Sequence, residues 1–143
     1  MGDLYEEDIL LWSERQAALL RRLAAGERVD DRDLDWPNIG EEIEAVGRSE
    51  LRACEALLTQ AVAHWLKQRC WPDSAEVPHW REKEIRFRQE AADAFSPSMR
   101  QRIDMARILR RARQRLPATI DGILPGSVPD PGTTDVAAWL AEA

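Results

Sequence analysis

The 143-residue sequence has few of the residues that build β-sheets, and it contains no long apolar runs. Valine is scarce, and no segment alternates apolar and polar residues over the length of a strand. A membrane-spanning helix needs about 18 consecutive apolar residues, and no such run occurs. With 44% hydrophobic and 32% charged residues, the composition predicts one soluble globular domain with no membrane partner.

Cysteine is equally rare, since Cys54 and Cys70 are the only two. If both lie on one helix, the rise of about 1.5 Å per residue separates them by roughly 24 Å, too far for a disulfide. The first eight residues contain four carboxylates, which contradicts the basic start of a secretory signal. We therefore expect a cytoplasmic protein with free thiols.

Catalytic signatures are missing as well: the sequence has no Gly-x-Ser-x-Gly elbow, P-loop, dinucleotide fingerprint or zincin motif. We therefore predict no catalytic residue, no metal ligand and no cofactor. One alternative is a metal-dependent enzyme that uses Glu41, Glu42 and Glu44 with His64. That site would need ligands from a neighbouring helix or a second subunit, because about 22 residues separate the glutamates from His64 along one helix.

What the sequence does contain is strong helical periodicity, which predicts an all-α fold. We expect one domain, residues 1–143, folded as an elongated bundle with a long central helix and a short C-terminal helical tail. The four main helices are predicted at about 5–25, 36–70, 78–94 and 96–116. Short helical pieces are expected at about 118–123 and 135–141, with a proline-rich and glycine-rich loop at 124–132 between them.

The predicted central helix, about 50 Å long, has features that favour self-association. It is too long for the remaining helices to cover, and uncovered apolar surface favours a dimer. Gly40 and Gly47 lie in its first half, where each costs roughly 1 kcal/mol relative to alanine. Close approach of another helix would explain both glycines, and a kink is the other explanation. We therefore predict a non-enzymatic interaction module that forms a homodimer or binds a protein partner.

Charge is unevenly distributed along the chain. Residues 1–50 have a net charge of −8, whereas residues 81–115 have a net charge of +6. The second segment predicts a basic face made of five arginines: Arg107, Arg110, Arg111, Arg113 and Arg115. These residues could bind the phosphates of a nucleic acid, which is a second alternative function. They could instead neutralise the acidic helices within the bundle or across a dimer.

Several segments together resemble one known family of bacterial proteins. The most specific is Glu41-Glu42-Ile43-Glu44-Ala45-Val46-Gly47-Arg48. It is accompanied by Tyr5-Glu6-Glu7-Asp8, Trp12, Leu23, His64-Trp65-Leu66-Lys67 and Trp80. Over about residues 4–140 the chain is similar to the domain of unknown function family twenty-nine. It departs from the family pattern at Val46, where leucine is common, and at His79, where serine is common.

The resemblance implies a small α-helical protein without an established activity, substrate or cofactor. The positions that match the polar part of the family pattern form the candidate functional cluster. These positions are Glu41, Glu42, Glu44, His64 and Lys67.

Overall fold

The computed structural model describes residues 3–127 and 135–142, and it confirms the predicted all-α fold class. Outside its helices, this part of the chain contains one isolated bridge, between Ile120 and Ile123. The α-helices are α1 (Leu4–Glu7), α2 (Ile9–Ala24), α3 (Trp36–Cys70), α4 (Val77–Ala94), α5 (Met105–Gln114) and α6 (Val136–Ala141). None of these helices in the described residues combines the length and apolar character that crossing a membrane requires.

The first helical region, predicted as one helix, is divided at Asp8. The backbone of Asp8 leaves the helical region (φ −152°, ψ 85°), and its carboxylate accepts a hydrogen bond from the Leu11 N–H at 3.0 Å. Asp8 is therefore the N-cap of α2, just as Asp3 is the N-cap of α1. Gly26, with φ +84°, follows the end of α2 in the left-handed conformation that glycine adopts without strain.

Helix α3, with 35 residues, is the long helix that the periodicity predicts. It contributes to two compact units, Met1–Arg48 and Ser49–Ala143, whose boundary falls within it. In the first unit, Trp12, Leu34 and Ile39 form the buried core. The second unit has a larger core, in which the largest fully buried side chains are Cys54, Leu58, Thr59, Leu66, Ile108 and Val136.

Helix α5 begins later than the predicted fourth helix. Ser96-Pro97 opens only a 3₁₀ turn, Pro97–Met99. The helix starts after Asp104, whose backbone is extended and whose carboxylate accepts the Ala106 N–H at 3.0 Å. The segment thus contains two start signals, and the second one begins the α-helix because its side chain caps the first turn.

The short helix expected at 118–123 is a tight turn instead. Asp121 and Gly122 both have positive φ, and Ile120 and Ile123 exchange backbone hydrogen bonds of 3.1 and 2.9 Å across them. Two successive left-handed residues are typical of a type I′ turn and incompatible with a helix. Residues 128–132 of the predicted loop lie outside the described residues.

Candidate functional site

The three candidate glutamates lie on α3 in the first unit, and each has a partner there. Glu42 accepts a hydrogen bond of 2.6 Å from the Tyr5 hydroxyl. Arg48 pairs with Glu41 at 2.6 Å and with Glu44 at 3.7 Å. Glu42 therefore connects α3 to α1, whereas Glu41 and Glu44 share Arg48, which lies one to two helical turns after them.

The Tyr5–Glu42 hydrogen bond changes the acidity of the phenol. The Glu42 carboxylate accepts a hydrogen bond from the phenol and so stabilises the neutral tyrosine. The negative charge of Glu42 also opposes ionisation of Tyr5. Together with partial desolvation, this raises the pKa of Tyr5 to about 12. The Tyr5 ring also meets Trp12 edge-on, with 4.9 Å between ring centroids.

A second polar network in the first unit surrounds Asp35, which the sequence indicates only as a helix cap. Its carboxylate accepts hydrogen bonds from the Asn38 amide at 2.8 Å and the Trp12 indole at 2.9 Å, and these lower the pKa of Asp35. The Asp35 backbone N–H donates to the Gln16 side chain at 2.9 Å. This network joins α2 to the start of α3.

His64 and Lys67, the other two candidates, belong to the second unit. The His64 ring is 7% exposed and stacks on Phe87 with 5.7 Å between centroids. Burial, followed by the positive charge of Lys67 and its neighbours, lowers the pKa of His64 to about 4. Burial also lowers the pKa of Lys67. His64 is therefore a neutral, packed side chain near neutral pH.

Arg88, which the sequence does not single out, lies at the centre of a buried polar network. It donates a hydrogen bond of 2.9 Å to the Trp139 carbonyl, and its guanidinium lies 3.7 Å from the centroid of the Trp139 ring. Glu84 pairs with Arg88 at 3.4 Å and accepts a hydrogen bond from Gln68 at 3.1 Å. These contacts connect α3, α4 and α6.

The predicted basic face is divided between two sets of arginines. Arg107, Arg111 and Arg115 line an open groove of about 340 Å³ with Arg52, Glu55 and Thr59 of α3, whereas Arg110 and Arg113 are not part of its lining. The spacing of four residues places the three arginines on one face of the α5 segment. That spacing is the sequence signal for the α5 side of this groove.

The family comparison gives the chain its place among known proteins. The model of the family described as "Domain of unknown function DUF29" matches residues 4–129. The chain belongs to this family.

A solved structure supports the same fold class. The chain is 28% identical to an α-helical protein of unknown function from Rhodospirillum rubrum ATCC 11170, with a TM-score of 0.55. The match covers 99% of this chain and 98% of that one. No curated protein matches the chain.

Across residues 3–127 and 135–142, no three histidine, cysteine, aspartate or glutamate side chains are grouped closely enough to hold a metal ion. Cys54 and Cys70 are both free and buried. The groups with the most distinctive environment are therefore the Tyr5–Glu42 pair, buried His64, the Arg88 network and the arginine groove.

Proposed function

We propose that this chain is a helical interaction module that forms a homodimer through the first half of α3. The surface concerned, here called the glycine stripe, consists of Trp36, Gly40, Ile43 and Gly47. Their spacing of four, three and four residues is that of a coiled-coil seam. Trp36 and Ile43 are 45% and 69% exposed, and neighbouring Val46 is 67% exposed.

The two glycines are the observation on which this proposal rests. A Cβ atom built on Gly40 or Gly47 would meet nothing within 4 Å. No contact within the described residues therefore requires glycine at either position, although each costs about 1 kcal/mol relative to alanine in a helix. Glycines on one helical face allow a second helix to approach closely, which gives both positions a reason.

A second copy is the partner that fits the stripe best. An antiparallel twofold pair whose axis passes between Ile43 and Glu44 would place Gly40 of each copy opposite the partner subunit's Gly47. In the same arrangement Arg48 of each copy stays paired with Glu41 and Glu44 of its own chain, so the flank of the stripe carries little uncompensated charge. The stripe is therefore complementary to itself in shape.

Sedimentation of purified protein over the micromolar range tests this proposal. We expect the wild type to be a dimer and Ile43→Glu to be a monomer, because a charge would be buried at the seam. Leu10→Glu is the matched control, since Leu10 of α2 is 68% exposed. A monomeric wild type, or equal dissociation of both variants, would contradict the proposal.

The other functions predicted as alternatives gain less support. A metal-dependent enzyme would need the ligand grouping that the described residues lack. A nucleic-acid surface made of all five arginines would need them on one face, yet only three line the groove. A cytoplasmic location remains our proposal, and two free thiols are consistent with it.

A further inference from the structure

The groove between α3 and α5 concentrates positive charge around one buried carboxylate. Arg52, Glu55 and Thr59 lie on one face of α3, at spacings of three and four residues. Arg107, Arg111 and Arg115 lie opposite them on the α5 segment. All of these residues belong to the second unit.

Glu55 compensates only part of this charge. Its side chain is 8% exposed; it pairs with Arg107 and lies 3.9 Å from Arg111. Arg52 and Arg115 have no carboxylate within 4.0 Å among the described residues. The lining contains four arginines and one glutamate, which is a net charge of +3.

The Arg107 guanidinium is itself incompletely satisfied. Its Nε atom is buried and has no hydrogen-bond partner in the described part of the chain. Glu55 holds this side chain against α3, where the Thr59 hydroxyl donates to the Glu55 carbonyl at 2.7 Å. Glu55 is thus a positioning residue that fixes one arginine at the edge of the groove.

We propose that this groove binds a small anion that carries phosphate groups. Arginine donates two parallel hydrogen bonds to phosphate oxygens, and several arginines around one concavity can share a polyvalent anion. A volume of about 340 Å³ lies within the range of small-molecule sites and suits a diphosphate-sized ligand. A bound anion would also relieve the mutual repulsion of the four guanidinium groups.

Calorimetric titration with inorganic pyrophosphate at about 0.15 M ionic strength, where distant charges are largely screened, tests the proposal. We expect one site per chain. Arg111→Gln should weaken binding about tenfold, the effect of losing one hydrogen bond to a charged group. Arg113→Gln is the matched control, because it removes the same charge from α5 outside the groove lining. We expect it to change the affinity less than about twofold by weak long-range electrostatics.

Glu55→Gln supplies a readout that misfolding cannot imitate. The glutamine amide oxygen can still accept the hydrogen bond from Arg107, so this arginine stays in place while the net charge of the lining rises. We therefore expect tighter pyrophosphate binding than in the wild type. Circular dichroism checks that each variant is folded. Absence of binding to the wild type, or weaker binding to folded Glu55→Gln, would overturn the proposal.

A single-stranded oligonucleotide and adenosine diphosphate, each titrated separately, distinguish the sources of phosphate. Adenosine diphosphate that binds with the same dependence on Arg111 would support a nucleotide in the groove. If the oligonucleotide binds more tightly than pyrophosphate and both arginine variants weaken it equally, the arginines form a diffuse nucleic-acid surface. That outcome would also overturn the proposal, without affecting the dimer proposed above.

Discussion

Single hydrogen bonds give several side chains unusual properties, and Tyr5 is the most accessible example. Tyr5 is the only tyrosine of the chain, so its ionisation can be followed without interference from another phenol. Its hydroxyl donates to Glu42. The acidic segment that begins at Glu41, the most specific part of the family resemblance, is therefore connected to α1 by this hydrogen bond. The ultraviolet absorbance of Tyr5 reports on the bond.

Replacement of Glu42 should make the phenol more acidic. In the wild type we expect Tyr5 to ionise near its raised pKa of about 12. In Glu42→Gln the negative charge is gone, so the pKa should fall toward the ordinary value of about 10. Tyrosinate absorbance during a pH titration measures this directly. Glu44→Gln, which removes a carboxylate bound to Arg48 instead, should leave the pKa of Tyr5 near its wild-type value.

His64 should make stability depend on pH in a defined direction. Its pKa is lower in the folded protein, about 4, than the ordinary value of 6.5, so the unfolded chain binds the proton more readily. The contribution of neutral His64 to the free energy of unfolding is therefore fully present above pH 6.5. It is lost as the pH falls toward 4, by about 3 kcal/mol in total. Lys67, Lys83, His79 and Arg86 oppose the protonation.

Urea unfolding of wild type and His64→Leu between pH 7.5 and 4 measures this effect. The difference in unfolding free energy between the two proteins should shift in favour of His64→Leu as the pH falls. His79→Leu is the control, because His79 is exposed. A pH-independent difference for His64→Leu would show that the histidine is not held neutral.

Among the secondary-structure elements, α6 depends most clearly on one distant residue. The helix has only six residues, too few to be stable alone. Val136, Trp139 and Leu140 are buried, and Arg88 of α4 binds both the carbonyl and the ring of Trp139. Packing and this arginine together keep α6 in place.

Arg88→Lys should therefore loosen α6 selectively. Lysine keeps the charge but lacks the planar group that stacks on the ring and reaches the carbonyl, at a cost of about 2 kcal/mol. Hydrogen exchange should accelerate in α6 more than in α3. Arg86→Lys, an exposed change on the same helix, should not alter exchange in α6. Equal acceleration in both variants would contradict this role.

Local signals in the sequence predict some elements well and others poorly. The long helix α3 follows from an apolar stripe that no strong breaker interrupts. The division at Asp8 does not, because the periodicity continues through it and only the cap geometry reveals the break. Ser96 and Asp104 are competing start signals for the next helix, and residue types alone do not rank them.

Long-range pairs explain why most of the candidate sites could not be predicted. Glu55 lies 52 positions from Arg107, and Arg88 lies 51 positions from Trp139. No spacing rule connects residues so far apart. Acidic Glu41, Glu42 and Glu44 were recognisable as a group, but the partner of Glu42, Tyr5, lies 37 positions away and depends on the fold.

At the scale of the whole molecule, α3 supplies residues to the cores of both units. Ile39 is buried in the first core and Leu58 in the second. The part of α3 in the first unit, residues 36–48, is short enough to be only marginally stable as an isolated helix. We therefore propose that the chain behaves as one domain in unfolding.

Leu58→Ala tests this cooperativity, since a buried leucine truncated to alanine costs about 2–5 kcal/mol. Helicity and tryptophan fluorescence should lose their native signals in one coincident transition, shifted to lower urea in the variant. Leu10→Ala, at an exposed position, should leave the midpoint nearly unchanged. Two separate transitions, with only one shifted, would show that the units unfold independently.

The two free cysteines allow local opening of the second unit to be measured. Cys54 is fully buried in the main core, while Cys70 is 6% exposed in a smaller cluster with Trp71 and Trp80. Burial raises the pKa of both thiols, so neither reacts readily in the closed state. The rates at which a thiol reagent modifies Cys54 and Cys70 therefore report how readily the second unit opens around each of them, without any added label.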